Sequence, residues 1–206
     1  MNETTMVERY ATLSTASVSD ALDRLGQPGA LLGLAPLGAG QRMVGRAYTV
    51  RYVPADDPPG TVGDYLDEVP PGSVITLDNA GRVDCTVWGD ILTALAAEHG
   101  VAGTVIDGVC RDVRRALSLA YPIYSRGRFM RTGKDRVQVA EVNGPVNIGA
   151  VLVRPGDLLV GDEDGVVAVP ASIAEQVLVT AEQIAEREAG ILAMALGGAT
   201  IAAARA

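Results

Sequence analysis

The chain has 206 residues, 17 basic against 25 acidic side chains and a formal charge of -8, with one histidine and two cysteines. His99, Cys85 and Cys110 fall short of the four ligands of a closed Cys/His zinc site. Two cysteines cannot staple a chain of this length, and any Ser-His-Asp mechanism would have to run through His99.

An acidic chain with few aromatics is a poor nucleic-acid binder, because it repels phosphates rather than releasing their counterions. A core is well supplied, since 48% of the residues are hydrophobic and a chain of this size buries roughly 70% of its unfolded surface. One domain over residues 1–206 is expected.

The hydrophobic pattern is helical from Val7 to Leu25, with Ser17, Ser19 or Asp20 placed to cap Ala21–Leu25 and Gly26 to stop it. Gly45–Val53 alternates as a strand, and a Pro/Asp/Gly-rich loop follows over 54–63. Asp64–Val69 reads as a short helix, and Pro70-Pro71-Gly72 turns the chain into the buried strand Ser73–Leu77. A loop over 78–84 leads to a helix starting near Gly89. Ile91, Leu92, Leu95 and Ala96 lie at helical spacing there, and Gly100 ends it.

Thr104–Ile106 is a second buried strand closed by Gly108, Val113–Ala120 a short helix, and Pro122–Tyr124 a third strand. Alternating strands over 137–153 lead through Pro155-Gly156-Asp157 to Leu158–Val160. The tight turn Gly161–Gly165 follows, then Val166–Val169 and a long helix from about Ser172 to Leu196. The strand–helix–strand–helix–strand middle predicts parallel pairing and the later part hairpins, hence a layered α/β fold. The N-terminus lacks the basic-then-apolar order of a signal peptide. Ile191–Ala204 is shorter than the roughly 20 residues of a membrane span. A cytoplasmic protein with no membrane partner is expected.

Several motif fragments fail on their own terms. Gly38-Ala39-Gly40 has Met43 where a dinucleotide loop needs its third glycine. Gly133-Lys134 is followed by Asp135 instead of the Ser/Thr of a phosphate loop. The acidic turn 162–165 lacks the glutamate that closes a calcium loop and reads as a β-turn. His99 stands near a helix C-terminus with no local partner. Cys110 lies beside Arg111, which would favour its thiolate, but a buried structural cysteine is the simpler reading.

Two loops after buried strands carry the chemistry. Trp88-Gly89-Asp90-Ile91-Leu92 opens a helix, and Asp107-Gly108-Val109-Cys110-Arg111-Asp112 leaves the next strand. In α/β sheets ligands bind at the carboxyl ends of the strands. The free amides of the Asp90 helix form an anion site, Arg111 offers a planar fork for a carboxylate, and Asp112 suits a hard divalent cation. Together they describe a site for a small dicarboxylate or 2-oxo acid. The alternative is a surface ion pair between Arg111 and Asp112.

Asp90, twenty intervening residues and Arg111-Asp112 make an Asp-x20-Arg-Asp pattern. With Val18–Leu22, Gly45–Ala47, Gly103–Asp112, Pro155–Asp157 and Gly165–Pro170, it resembles the 4-hydroxy-4-methyl-2-oxoglutarate aldolases, relatives of the regulator of ribonuclease activity A. The resemblance implies a three-layer β/β/α swivelling-type domain with mixed sheets and a C-terminal helix, assembled as a homotrimer or hexamer.

It also implies a class II aldolase that releases pyruvate from a 4-hydroxy-2-oxo acid and decarboxylates oxaloacetate on the side. Asp112 would be the direct Mg²⁺ or Mn²⁺ ligand and Asp90 the residue orienting a water. Arg111 would bind the pyruvyl oxygens, and Gly89, Asp90, Ile91 and Leu92 would hold the substrate carboxylate. Glu188, with Glu186 close behind, would reach the metal through water from a neighbouring subunit. The non-catalytic alternative is a regulator that binds and inhibits a ribonuclease, a group set apart by lacking the aspartate at the position of Asp112.

Overall fold

Two N-terminal helices precede the first strand where the sequence pattern reads as one helical stretch. The computed structural model describes residues 1–206, with α1 at Glu3–Tyr10 and α2 at Thr15–Arg24. The break is made by Ser14, whose side chain accepts from the Ser17 amide and so caps α2 three residues earlier than the first expected cap.

The remaining elements are β1 (Ala35–Pro36), β2 (Met43–Pro54), a 3-10 turn at Asp64–Glu68, β3 (Val74–Thr86) and α3 (Asp90–Glu98). They continue with β4 (Gly103–Cys110), α4 (Val113–Ser118), β5 (Ile123–Arg128), β6 (Val137–Val142), β7 (Val146–Ile148) and β8 (Val151–Val153). The chain ends with β9 (Leu158–Asp162), β10 (Gly165–Val169), α5 (Ala174–Leu196) and α6 (Ile201–Arg205).

The expected parallel pairing is present: β2–β3, β3–β4 and β4–β5 all pair in parallel. The segment 78–84, expected as a loop, instead prolongs β3 in irregular register, with Arg82 opposite Gly108 and Thr86 opposite Val109. The long β2 joins the parallel strands to the antiparallel β9–β10 hairpin, giving an eight-stranded mixed sheet, β1-β5-β4-β3-β2-β9-β10, with β6 also on β2. The small β7–β8 hairpin stands apart.

Side-chain alternation divides the interior into three cores. Tyr48, Val50, Ile75, Leu77 and Ile106 face α3 and α4 in the first. Ala47, Val74 and Val105 point to the opposite face and pack on the β7–β8 hairpin with Leu159, Val166 and Ala168. On β9 and β10 the intervening Leu158, Val160, Val167 and Val169 turn to α1, α2 and α5. Strands therefore cover one face of the parallel sheet and helices the other, with the terminal helices layered outside the hairpin. No helix is long and apolar enough to cross a membrane.

Candidate active site

The site lies where β3 and β4 end side by side and hand the chain to α3 and α4. Trp88 anchors it: the indole is buried and stacks on Tyr121 at 6.4 Å. Its Nε1 donates to Thr93 Oγ1 at 2.9 Å, and Thr93 Oγ1 donates in turn to Gly89 O at 2.8 Å. An apolar residue with one polar handle thus fixes the first turn of α3. The second loop is tied to the first by the Arg111 amide, which donates to Trp88 O at 3.0 Å.

Those constraints bring the predicted residues together. Asp112 adopts left-handed backbone, φ 56° and ψ 35°, at the start of α4, a conformation that Asp tolerates better than most residues. Its Oδ2 lies 3.3 Å from the Asp90 amide and 3.3 Å from Arg111 Nε. Gly89 packs against the same pair, and a Cβ there would sit 2.8 Å from Asp112 Oδ2 and 3.3 Å from Arg111 Nε.

The anion site at the start of α3 is partly engaged from within. The Ile91 amide donates to Asp90 Oδ1 at 2.9 Å, while the Leu92 amide has no acceptor in the chain. A cleft of about 240 Å³ opens over this turn, walled by Trp88, Asp90, Leu92, Arg111, Thr132 and Lys134.

Other candidates fall elsewhere. His99 caps the far end of α3 from Asp90. Cys110 is buried, and burial pushes its thiol up rather than favouring a thiolate. Glu186 and Glu188 are exposed on the outer half of α5, and no third His, Cys, Asp or Glu joins Asp90 and Asp112 within the chain.

Sequence reasoning missed Thr132 and Lys134, whose one signal was the discarded Gly133-Lys134 pair. It also missed a charge segregation. Residues 111–136 hold eight basic and two acidic side chains, a local charge of +6. The rest of the chain holds nine basic and twenty-three acidic, a charge of -14. Net charge therefore averages away a cationic segment, of which Arg111 and Lys134 line the cleft.

The model of the RraA-like family (Aldolase/RraA) matches residues 15–168. DlpA of Legionella pneumophila is 37% identical over 204 residues, a match covering 97% of this chain and 33% of DlpA. The chain therefore spans a third of that relative's length. A Halalkalibacterium halodurans protein provisionally named 4-hydroxy-4-methyl-2-oxoglutarate aldolase is 36% identical over 183 residues, covering 88% of this chain and 84% of the relative.

A solved structure of an uncharacterized protein from Pseudomonas syringae pv. tomato matches with a TM-score of 0.93 at 43% identity, covering 98% of each chain. RraAS2 of Streptomyces coelicolor, described as an unusual member of the RNase ES inhibitor RraA protein family, matches at 0.81 and 30% identity, covering 91% of this chain and 95% of RraAS2. With the family model spanning most of the chain and relatives alike in sequence and fold, this protein belongs to the RraA-like (Aldolase/RraA) family.

Proposed function

We propose that the protein is a divalent-metal-dependent lyase cleaving 4-hydroxy-4-methyl-2-oxoglutarate, or a related 4-hydroxy-2-oxo acid, to pyruvate. One juxtaposition carries the reading: the Asp112 carboxylate lies 3.3 Å from both the Asp90 amide and Arg111 Nε, beside a cleft at a helix N-terminus. The likeness to the H. halodurans protein points the same way.

The donor set fits Mg²⁺ or Mn²⁺. Asp90 and Asp112 offer only oxygen, and such hard ions bind through one or two carboxylates while keeping several waters. Asp112 would hold the ion directly and Asp90 through a water. Glu188 or Glu186 of a neighbouring copy would complete the shell in a homotrimer or hexamer. When bound, the ion supplies Lewis-acid polarisation of the 2-oxo group.

The chain's own groups do the rest. The substrate C1 carboxylate accepts from the Leu92 amide, and from Ile91 once Asp90 turns toward the substrate. Arg111 donates to the 2-oxo oxygen. Asp90, through one water, takes the proton of the C4 hydroxyl. The C3–C4 bond then breaks, C4 leaves as the carbonyl product, and the bond's electron pair becomes the pyruvate enolate, whose oxygen faces the Arg111 guanidinium. A proton from water at C3 completes pyruvate, and Asp90 returns its proton to solvent. Oxaloacetate reaches the same enolate by losing carbon dioxide, so its decarboxylation is an expected side activity.

The test is pyruvate release from both substrates with Mg²⁺ or Mn²⁺, before and after chelation, in the native protein and in Asp112→Ala. Activity that survives full chelation, or is undiminished in the variant, overturns the reading. A second reading, a regulator that binds a ribonuclease, draws on the likeness to RraAS2. Tight association with and inhibition of a ribonuclease, without pyruvate release, is the result that selects it.

A further inference from the structure

Thr86, the last residue of β3, is buried at the floor of the cleft. Its Oγ1 accepts from the Trp88 amide at 3.1 Å. The hydroxyl donates to Val109 O at 2.8 Å, with Trp88 O also in range at 2.9 Å, so its single proton is shared between two carbonyls. The Thr86 amide donates to Arg131 O at 3.0 Å, and Thr132 bridges Thr86 in parallel register. Gly133 approaches so closely that a Cβ there would sit 2.4 Å from Thr86 O. One residue thus bonds to the turn before α3, to the end of β4 and to the loop that carries Lys134.

A side chain is needed here because the β3–β4 ladder has become irregular. While β3 runs from Asp78 to Thr86, its partners on β4 run only from Asp107 to Val109. Beyond the strand, the amide of buried Trp88 has no backbone acceptor, and Thr86 Oγ1 takes that place. The hydroxyl therefore ties the segment leading to Asp90, Ile91 and Leu92 to the segment leading to Arg111 and Asp112. Its proton is committed inside the protein, which leaves it no donor for a ligand.

We propose that Thr86 is a positioning residue for the lyase reaction: its hydroxyl fixes the carboxylate-binding turn of α3 against Arg111. The inference rests on the 2-oxo acid reading above and adds to it the residue that holds the two halves of the site in register. The C1 carboxylate is held by amides within one turn, so ground-state binding survives a small shift between the loops. The Arg111 contact to the enolate oxygen gains its strength as charge develops in the transition state, and that contact does not survive the shift.

Thr86→Val keeps the shape and removes the hydroxyl, whereas Thr86→Ser keeps the hydroxyl. In pyruvate release with Mg²⁺ present, Thr86→Val should lose on the order of 10- to 100-fold in kcat, with KM within about twofold of native. Thr86→Ser should stay within about threefold of native in both. Amide exchange followed by NMR reads the tie without turnover. In Thr86→Val the Trp88 amide should exchange at least about tenfold faster, while the Val105 and Ile106 amides of β4 keep their native protection. Thr86→Ala removes the hydroxyl without bulk and supplies the same comparison if the valine variant does not fold.

Native kcat in a folded variant without the hydroxyl overturns this inference, as does a loss that Thr86→Ser shares in full. A loss carried by KM, or faster exchange spread evenly over Trp88, Val105 and Ile106, assigns Thr86 to general stability and also overturns it. Each of these results leaves the 2-oxo acid reading standing. A native protein that releases no pyruvate overturns that reading and this inference with it.

Discussion

Gly89 and Asp112 pack so closely that the glycine's missing side chain is what makes room for the carboxylate: a Cβ would lie 2.8 Å from Asp112 Oδ2. Gly89 has φ -148°, which any residue adopts, so its backbone does not require glycine. Gly89→Ala should therefore fold, yet push Asp112 and Arg111 apart. Displacements near 1 Å in such constellations cost on the order of 100-fold in rate, and a loss of that order in pyruvate release is expected with little change in melting temperature. Activity within twofold of native would show that the placement of Asp112 against Arg111 is not critical.

Asp112 combines two roles that substitution can separate. Its backbone is left-handed, a conformation that Ala80, Ala120 and Ala150 also adopt in this chain but that Asn takes up more readily than Ala, by roughly 1 kcal/mol. Asp112→Asn should match the native protein in urea unfolding, whereas Asp112→Ala should lose about 1 kcal/mol. Both should lose pyruvate release and the thermal stabilisation that Mg²⁺ gives the native protein. An Asn variant that stays active would remove Asp112 from the proposed chemistry.

The β3-α3-β4-α4-β5 run was legible because apolar runs closed by Gly and Pro turns need no distant information. Asp90, Arg111 and Asp112 were legible for a related reason: each follows a strand, and adjacent parallel strands bring their carboxyl ends together. The segment 78–84 looked like a loop because Asp78, Asn79, Arg82 and Asp84 carry no apolar alternation. Its strand character comes from backbone pairing with β4. Lys134 was hidden similarly, since Thr86 and Arg131 meet through one long-range backbone bond that leaves no periodic trace. Averaging charge over the whole chain concealed the cationic segment 111–136, which supplies Arg111 and Lys134 to the cleft.

Away from the cleft, Asp162 ties the β9–β10 turn to the start of α2. Thr15 donates to it twice, from its amide at 2.8 Å and its hydroxyl at 2.6 Å, and the Asp164 amide donates at 3.0 Å. Burial alone would raise the carboxyl, but these hydrogen bonds outweigh it and hold it below the ordinary 3.8. A depressed folded-state value means that the ionised group stabilises the fold above pH 3.8. That contribution is lost as pH falls through the lower value. Asp162→Asn should cost about 1–3 kcal/mol at pH 7. In urea unfolding the gap to native should narrow steadily below pH 3.8. A gap independent of pH would assign the effect to shape rather than charge.

Cys85 and Cys110 test whether the site borders a reactive thiol. Both are buried, and burial pushes both thiols above the ordinary 9.0. Arg111 does not counter this at Cys110, because its guanidinium reaches Asp112 while the Cys110 sulfur lies 3.8 Å from Ser125 Oγ and 3.7 Å from Gly127 O. Thiolate is the attacking species, so alkylation by iodoacetamide at pH 8 should proceed only through opening of the structure. Native protein should react more slowly than urea-unfolded protein by roughly its local opening constant, with both sites modified once unfolded. Rapid modification of Cys110 alone in the native state, with loss of pyruvate release, would instead place an accessible thiol beside Arg111 and require a different account of that loop.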